Sequence, residues 1–117
     1  TLLSVADGVS VMTEGVWDNR FKYVDQLTMM GAKIKVDGKV AIITGIPCLN
    51  SAPVKATDLR AGAALILAGL AAEGTTEIEN VEFIDRGYDR IVEKLSSVGA
   101  DIRRMECFDP NARRSAI

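Results

Sequence analysis

The chain repeats an eight-residue pattern, and this repeat constrains its fold more than any other feature. The segment LTMMGAKI at 27–34 returns as LSSVGADI at 95–102. In each copy, apolar residues at helical spacing end at a glycine that can close the helix, and a β-prone stretch follows. Each copy also follows an arginine at a predicted helix entrance, Arg20 in the first and Arg86 in the second. The sequence therefore predicts an α/β fold of repeated units, each running strand, arginine-bearing loop, helix and strand.

The middle of the chain contains a variant of this unit around Arg60. Thr57 or Asp58 can cap a helix over 58–72, because either side chain can accept a hydrogen bond from a first-turn amide. This helix is apolar on every side, which predicts that it is buried all round. We therefore expect a layer of helices covered by sheets.

Local patterns predict the remaining elements. An Asp37-Gly38 pair between β-prone runs predicts a hairpin with a type I′ turn. A loop is expected over 45–56, where two prolines fall, and a frayed tail over 108–117, which Pro110 interrupts. Other predicted elements are strands over 10–13, 75–81 and 102–105, a helix with Tyr23, Val24, Leu27 and Met30 on one stripe, and a helix with Ile91, Val92, Leu95 and Val98 on one stripe.

Composition narrows the classes of function. A net charge of −2 gives no basic footprint for nucleic acid. Histidine is absent and the two cysteines, Cys48 and Cys107, lack metal-ligand spacing, so we expect no metal cofactor and free thiols in a reducing cytoplasm. The longest apolar run, 61–72, is shorter than the roughly 20 residues of a membrane span. The first residue is Thr1 rather than Met, which points to a piece of a longer protein.

The three arginines indicate a site for a small, highly charged anion. Arginine is always charged, and its planar fork of donors matches the oxygens of carboxylate and phosphate. If the units surround one axis, Arg20, Arg60 and Arg86 could converge on one ligand. The alternative is that they form surface ion pairs with nearby carboxylates, which are common and contribute little. Those carboxylates are Asp18, Asp58 and Asp85.

Other polar and aromatic residues near the arginines allow two interpretations each. Asp58 could cap its helix or hold a neighbouring arginine in position. Trp17, beside Val16, could pack against the protein or line a small-molecule site. Lys55 could bind phosphate or lie in solvent. No general base can be named from these residues.

Four motifs taken together resemble the UDP-N-acetylglucosamine 1-carboxyvinyltransferase family of enolpyruvyl transferases. They are Thr-Glu at 13–14 followed by Asp-Asn-Arg-Phe at 18–21, Ala-Thr-Asp-Leu-Arg-Ala at 56–61, Ile-Asp-Arg-Gly-Tyr-Asp-Arg-Ile at 84–91, and Lys-Leu at 94–95. The resemblance runs almost continuously from about Leu2 to Ile102. Its Asp-Arg-Gly-Tyr and Thr-Asp-Leu-Arg-Ala signatures favour this family over the related 3-phosphoshikimate 1-carboxyvinyltransferase.

The resemblance implies a fold and a reaction. The family fold is an inside-out α/β prism of repeated units, of which residues 1–107 would form the C-terminal part of one domain and 108–117 a flexible tail. The family adds phosphoenolpyruvate to the sugar 3-hydroxyl through a tetrahedral intermediate and releases phosphate. By resemblance, Arg20 and Arg60 would bind the carboxylate of phosphoenolpyruvate and Arg86 its phosphate. Asp58 would shape the site, and Val16 and Trp17 would line the UDP-N-acetylglucosamine pocket, with Trp17 in place of the usual Phe.

The resemblance also implies what this chain lacks. The family's N-terminal Lys-Asn pair, its reactive cysteine and its Pro-Thr-Asp motif have no match here, and neither Cys48 nor Cys107 replaces that cysteine. We therefore expect the chain to need the missing N-terminal portion of the enzyme and to be inactive alone. The alternative is a non-catalytic remnant that binds an anion or a partner protein.

Overall fold

The structure is a computed structural model that describes residues 1–15, 21–106 and 115–116, and it confirms the α/β class. A 3-10 helix at Leu2–Val5 begins the chain. The elements that follow are β1 Val9–Thr13, α1 Val24–Met29, β2 Lys33–Asp37, β3 Val40–Thr44, β4 Val54–Lys55, α2 Leu59–Ala71, β5 Ile78–Glu79, α3 Glu82–Asp85, α4 Ile91–Ser97, β6 Met105–Glu106 and β7 Ser115–Ala116.

The two sheets repeat one strand order. The first sheet has the order β1-β3-β2, and the second has the order β4-β5-β7-β6. Strands β5, β7 and β6 therefore reproduce the arrangement of β1, β3 and β2, and the pairs within both sets are antiparallel. Strand β4 pairs in parallel with β5 on the opposite side from β7. The repeat predicted from the sequence is thus present in the topology.

The two repeated glycines close their helices in the same way. Gly31 has φ of +93° and Gly99 has φ of +101°, a backbone region that suits glycine. The amide of Ala32 donates to the carbonyl oxygen of Leu27 at 3.1 Å, and the amide of Ala100 donates to that of Leu95 at 3.1 Å. This six-residue closure is the Schellman motif, so the sequence echo has a direct conformational cause.

The hairpin turn differs from the predicted type. Asp37 pairs with Val40, so the two loop residues are Gly38 and Lys39 rather than Asp37 and Gly38. Gly38 has φ of +58°, whereas Lys39 is not among the described residues with positive φ. A positive φ at the first loop residue alone is the pattern of a type II′ turn, not type I′. Glycine takes the left-handed conformation, which spares Lys39 the steric cost of its Cβ.

Helix α2 is buried on one face only, which corrects the expectation of burial all round. Leu65, Ile66 and Ala68 are almost fully buried in the core. On the opposite face, Leu67 is 55% exposed and Leu70 is 39% exposed. The apolar composition of this second face is real, but no described element covers it. The buried side packs with other core residues: Leu27, Met30, Leu49, Val54, Ile78, Val81 and Ile84.

Two segments that were predicted as loop or tail contain regular structure, and one short helix was not predicted. The predicted loop over 45–56 includes β4, whose Lys55 amide also donates to the side-chain oxygen of Gln26 at 2.9 Å. The predicted tail over 108–117 includes β7, which pairs with Glu79 and with β6. Glu82–Asp85 form the short helix α3, which the sequence did not predict. Val98, expected on the buried stripe of the last helix, is 80% exposed and lies at the C-terminal cap of α4.

Candidate anion site

Asp58 caps helix α2 and sets the position of Arg60. The Asp58 backbone is extended, with φ of −159°, and its Oδ1 accepts a hydrogen bond from the Ala61 amide at 2.9 Å. Its carbonyl oxygen accepts from the Gly62 amide at 2.9 Å. Arg60 is the second residue of α2 and its side chain is exposed. The capping interpretation of Asp58 is therefore confirmed.

Arg86 directly follows an unpredicted short helix, and the helix that was predicted after it, α4, begins five residues later at Ile91. The short helix α3 ends at Asp85, and Arg86 continues its right-handed backbone with φ of −69° and ψ of −26°. The Tyr88 amide donates to the carbonyl oxygen of Ile84 at 3.0 Å, which extends this turn past Arg86. Ile84 is fully buried. Burial of Ile84 therefore holds a helical turn that short-range patterns in the sequence do not indicate.

Two glycines allow the segments carrying Arg60 and Arg86 to lie against each other. A Cβ atom on Gly62 would lie 2.5 Å from Cγ1 of Ile84. A Cβ atom on Gly87 would lie 2.5 Å from Cδ2 of Leu59. The first turn of α2 thus packs directly on α3 and on the residue after Arg86. The fold brings these two predicted site residues onto adjoining segments.

The nearby carboxylates do not occupy these arginines. Asp58 is engaged by the helix cap, and Asp85 accepts two hydrogen bonds from Arg104. The Arg86 guanidinium carbon lies 5.7 Å from the centre of the Phe83 ring, a cation–π contact. In the part of the chain that the structure describes, no ion pair engages the guanidinium of Arg60 or Arg86. Asp58 and Asp85 therefore do not form the ion pairs with Arg60 and Arg86 that the alternative required.

Arg104 also perturbs the titration of Asp85. Its hydrogen bonds are the main cause that lowers the pKa of the Asp85 carboxyl; burial opposes them, and the charge of Arg104 adds a smaller lowering effect. Conversely, Asp85 raises the pKa of Arg104. Asp85 is therefore kept ionised and bound to Arg104 across the neutral range.

The remaining predicted site residues do not take part in this contact among the residues that the structure describes. Val16, Trp17 and Arg20 lie outside the described residues, as do Asp18 and Cys107. A hydrogen bond from the Lys55 amide to the side-chain oxygen of Gln26 fastens α1 to β4, the strand before Asp58. The Lys55 ammonium is exposed and lies 4.0 Å from a carboxylate oxygen of Glu79, which favours a solvated lysine over a phosphate ligand.

Neither a metal cluster nor a membrane span emerges from the described residues. Residues 1–15, 21–106 and 115–116 bring no three potential His, Cys, Asp or Glu ligands together. Cys48 is half-buried and unbonded to another cysteine. Among the helices of those same ranges, none has the length and apolar character needed to cross a bilayer.

Sequence reasoning missed the residues that support the arginines. Gly62 and Gly87 are needed for close approach, but their role depends on contacts made only in three dimensions. Phe83 lies three residues before Arg86, and Arg104 lies 18 residues after it. Arg104 is also one of several basic residues near the C-terminus. A charged residue paired across 19 positions leaves no periodic signal in the sequence.

Comparisons with known proteins agree with this architecture. The family model for EPSP synthase (3-phosphoshikimate 1-carboxyvinyltransferase) matches residues 1–95. UDP-N-acetylglucosamine 1-carboxyvinyltransferase of Clostridium botulinum is 59% identical over 105 residues, which are 90% of this chain and 25% of that protein. The enzyme of the same name from Anaeromyxobacter sp. is 59% identical over 103 residues, 88% of this chain and 24% of that protein. The enolpyruvyl transferase NikO from Streptomyces tendae superimposes with a TM-score of 0.76 at 39% identity, over 84% of this chain and 23% of NikO. The chain thus spans about a quarter of the length of these relatives.

Proposed function

Because this chain belongs to the EPSP synthase family of enolpyruvyl transferases, we propose that it is part of an enzyme that transfers an enolpyruvyl group to UDP-N-acetylglucosamine. The donor would be phosphoenolpyruvate, the acceptor the sugar 3-hydroxyl, and the released product inorganic phosphate. This would be the first committed step of peptidoglycan synthesis, in the cytoplasm. Two relatives at 59% identity that carry this activity in their names support UDP-N-acetylglucosamine over shikimate 3-phosphate as the acceptor.

One observation carries the proposal: the contact between the segments that bear Arg60 and Arg86. Gly87 lies against Leu59, and both guanidinium groups lack a carboxylate partner in the described chain. We assign Arg60 and Arg20 to the carboxylate of phosphoenolpyruvate and Arg86 to its phosphate. Fixed cations stabilise a multiply charged ligand, and they also stabilise the negative charge that develops on phosphate as it leaves.

Asp58 has a supporting role in this proposal. Its Oδ1 is committed to the helix cap, so it fixes the backbone from which Arg60 projects. Val16 and Trp17 would line the UDP-N-acetylglucosamine pocket, where the indole replaces the phenyl ring usual in the family. Residues 1–107 would contribute the C-terminal part of one prism domain, and the missing N-terminal portion would supply the rest of the site.

A second candidate function is non-catalytic binding by the chain on its own. The observation that favours it is the uncovered apolar face of α2, with Leu67 and Leu70. Exposed apolar patches mark surfaces that associate with other proteins. In the enzyme proposal this face is covered by the remainder of the same enzyme.

The test is phosphate release from phosphoenolpyruvate and UDP-N-acetylglucosamine. We expect none from the chain alone and turnover when it is mixed with the N-terminal portion of a relative. Arg60→Ala should abolish that turnover, whereas Arg103→Ala, which removes an exposed charge elsewhere, should retain it. A folded mixture that binds together but releases no phosphate would favour the non-catalytic function.

A further inference from the structure

The acidic residues from Asp85 to Glu93 are each paired with a base other than Arg86. Within 85–94 the pairs are Asp85 with Arg104, Asp89 with Lys94 at 3.9 Å, and Glu93 with Arg90 at 2.6 Å. Arg86 lies over the Phe83 ring. Of the basic residues in 85–94, Arg86 is thus the one without a carboxylate partner in the described chain. The local charge pattern leaves one guanidinium available.

Asp85 is the acidic residue nearest to Arg86 in the sequence, because the two are adjacent. Its carboxylate is held by Arg104 through two parallel hydrogen bonds, Nη1 to Oδ2 at 2.8 Å and Nη2 to Oδ1 at 2.5 Å. A bidentate arginine–carboxylate pair is stronger and more directional than an ordinary surface pair. The two side chains are 41% and 40% exposed, so the pair is partly shielded from solvent.

We propose that Arg104 is a positioning residue that neutralises Asp85 and so leaves Arg86 free to bind an anionic ligand. Without Arg104, the residue next to Arg86 in the sequence would carry an uncompensated carboxylate, and exposed charges interact over roughly 8 Å at physiological salt. It would compete with the ligand for Arg86 and repel a phosphate. The inference rests on the proposed function, since it concerns the arginine assigned to phosphate.

A purely mechanical role for Arg104 is the competing explanation. The pair connects the end of α3 to the residue just before β6, so it could serve only to hold these elements together. The two roles differ in what restores function after Arg104 is removed. If Arg104 neutralises Asp85, then removing the Asp85 charge as well should restore ligand binding. If Arg104 is only a clamp, the second substitution should not help.

The experiment measures KM for phosphoenolpyruvate and kcat in the complemented enzyme. We expect Arg104→Met to raise KM about two- to fivefold, the range of an exposed ion pair, with a smaller change in kcat. Asp85→Asn combined with Arg104→Met should return KM to the starting value. Arg104→Lys, which keeps the charge, should stay near the starting value. The matched control Arg103→Met removes the same charge from the neighbouring exposed residue and should leave KM unchanged.

Two results would overturn the inference: equal effects of Arg104→Met and Arg103→Met, or a double variant that stays as weak as Arg104→Met. The proposed function fails separately, if the unsubstituted mixture releases no phosphate. In that case the Arg86 Nε–Hε resonance is followed while inorganic phosphate is added. A phosphate response that Arg104→Met weakens and the double variant restores supports the inference. A response that is absent, or the same in all variants, overturns it.

Discussion

Among the residues of α2, Gly62 has little tolerance for a larger side chain. A Cβ there would lie 2.5 Å from Cγ1 and 3.0 Å from Cδ1 of Ile84, and 3.2 Å from Cβ of Ala56. We expect Gly62→Ala to destabilise the fold by about 1–2 kcal/mol, because overpacking outweighs the gain in helix propensity. Gly69→Ala, on the same helix, is the control. Its Cβ would meet Thr76 at 3.3 Å or more, so we expect a change within about 1 kcal/mol. Urea unfolding of both variants tests the difference, and equal destabilisation would contradict the packing argument.

At the scale of single residues, Asp85 also makes the stability of the folded chain depend on pH. Its pKa is lowered in the folded chain, with Arg104 the main cause. The stability that this pair contributes is therefore fully present above the unfolded pKa of about 3.9 and is lost as the pH falls through the lower folded value. A carbon-13 titration of the Asp85 carboxyl should show a pKa below the ordinary value, and Arg104→Met should move it upward. An Asp85 pKa unaffected by that substitution would contradict the ion pair.

At the scale of elements, substitutions of Asp58 can distinguish the effect of its capping oxygen from the effect of its negative charge. Asp58→Ala removes the acceptor for the Ala61 amide and should cost about 1 kcal/mol of stability. Asp58→Asn keeps a capping oxygen but removes the charge, so it should unfold near the same denaturant concentration as the unsubstituted chain. If the carboxylate also acts in the site, Asp58→Asn should still lower turnover in the complemented enzyme. Comparable losses of stability in both variants would argue against capping.

The elements also differ in whether the sequence alone could predict them. The cap at Asp58 and the closures at Gly31 and Gly99 follow from local rules, and the structure confirms them. Helix α3 does not follow from local rules, because four residues become helical only when Ile84 is buried under α2. The Arg104–Asp85 pair likewise depends on tertiary contact. The arginines were identifiable from their motifs, but the groups that leave them available were not.

Across the whole molecule, the exposed face of α2 links stability to assembly. In the enzyme proposal, the missing portion of the protein covers Leu67 and Leu70, which are 55% and 39% exposed here. We expect Leu67→Gln with Leu70→Gln to reduce self-association of the chain, because less apolar surface is left in water. The same double variant should bind the N-terminal portion more weakly. Leu2→Gln, at a residue 80% exposed, is the control. Sedimentation of each chain, alone and mixed, measures both effects, and unchanged binding would place the contact elsewhere.

The shared strand order of the two sheets has a consequence for amide hydrogen exchange. Among the described residues, β5 is paired on both sides, by β4 and β7, whereas its counterpart β1 is paired only with β3. Alternate amides of β1 therefore point away from β3 and should exchange with deuterium much faster than the amides of β3. Slower exchange of those β1 amides after mixing with the N-terminal portion would report that a strand has joined this edge. Exchange at β1 is thus a readout of assembly that needs no substrate and no turnover.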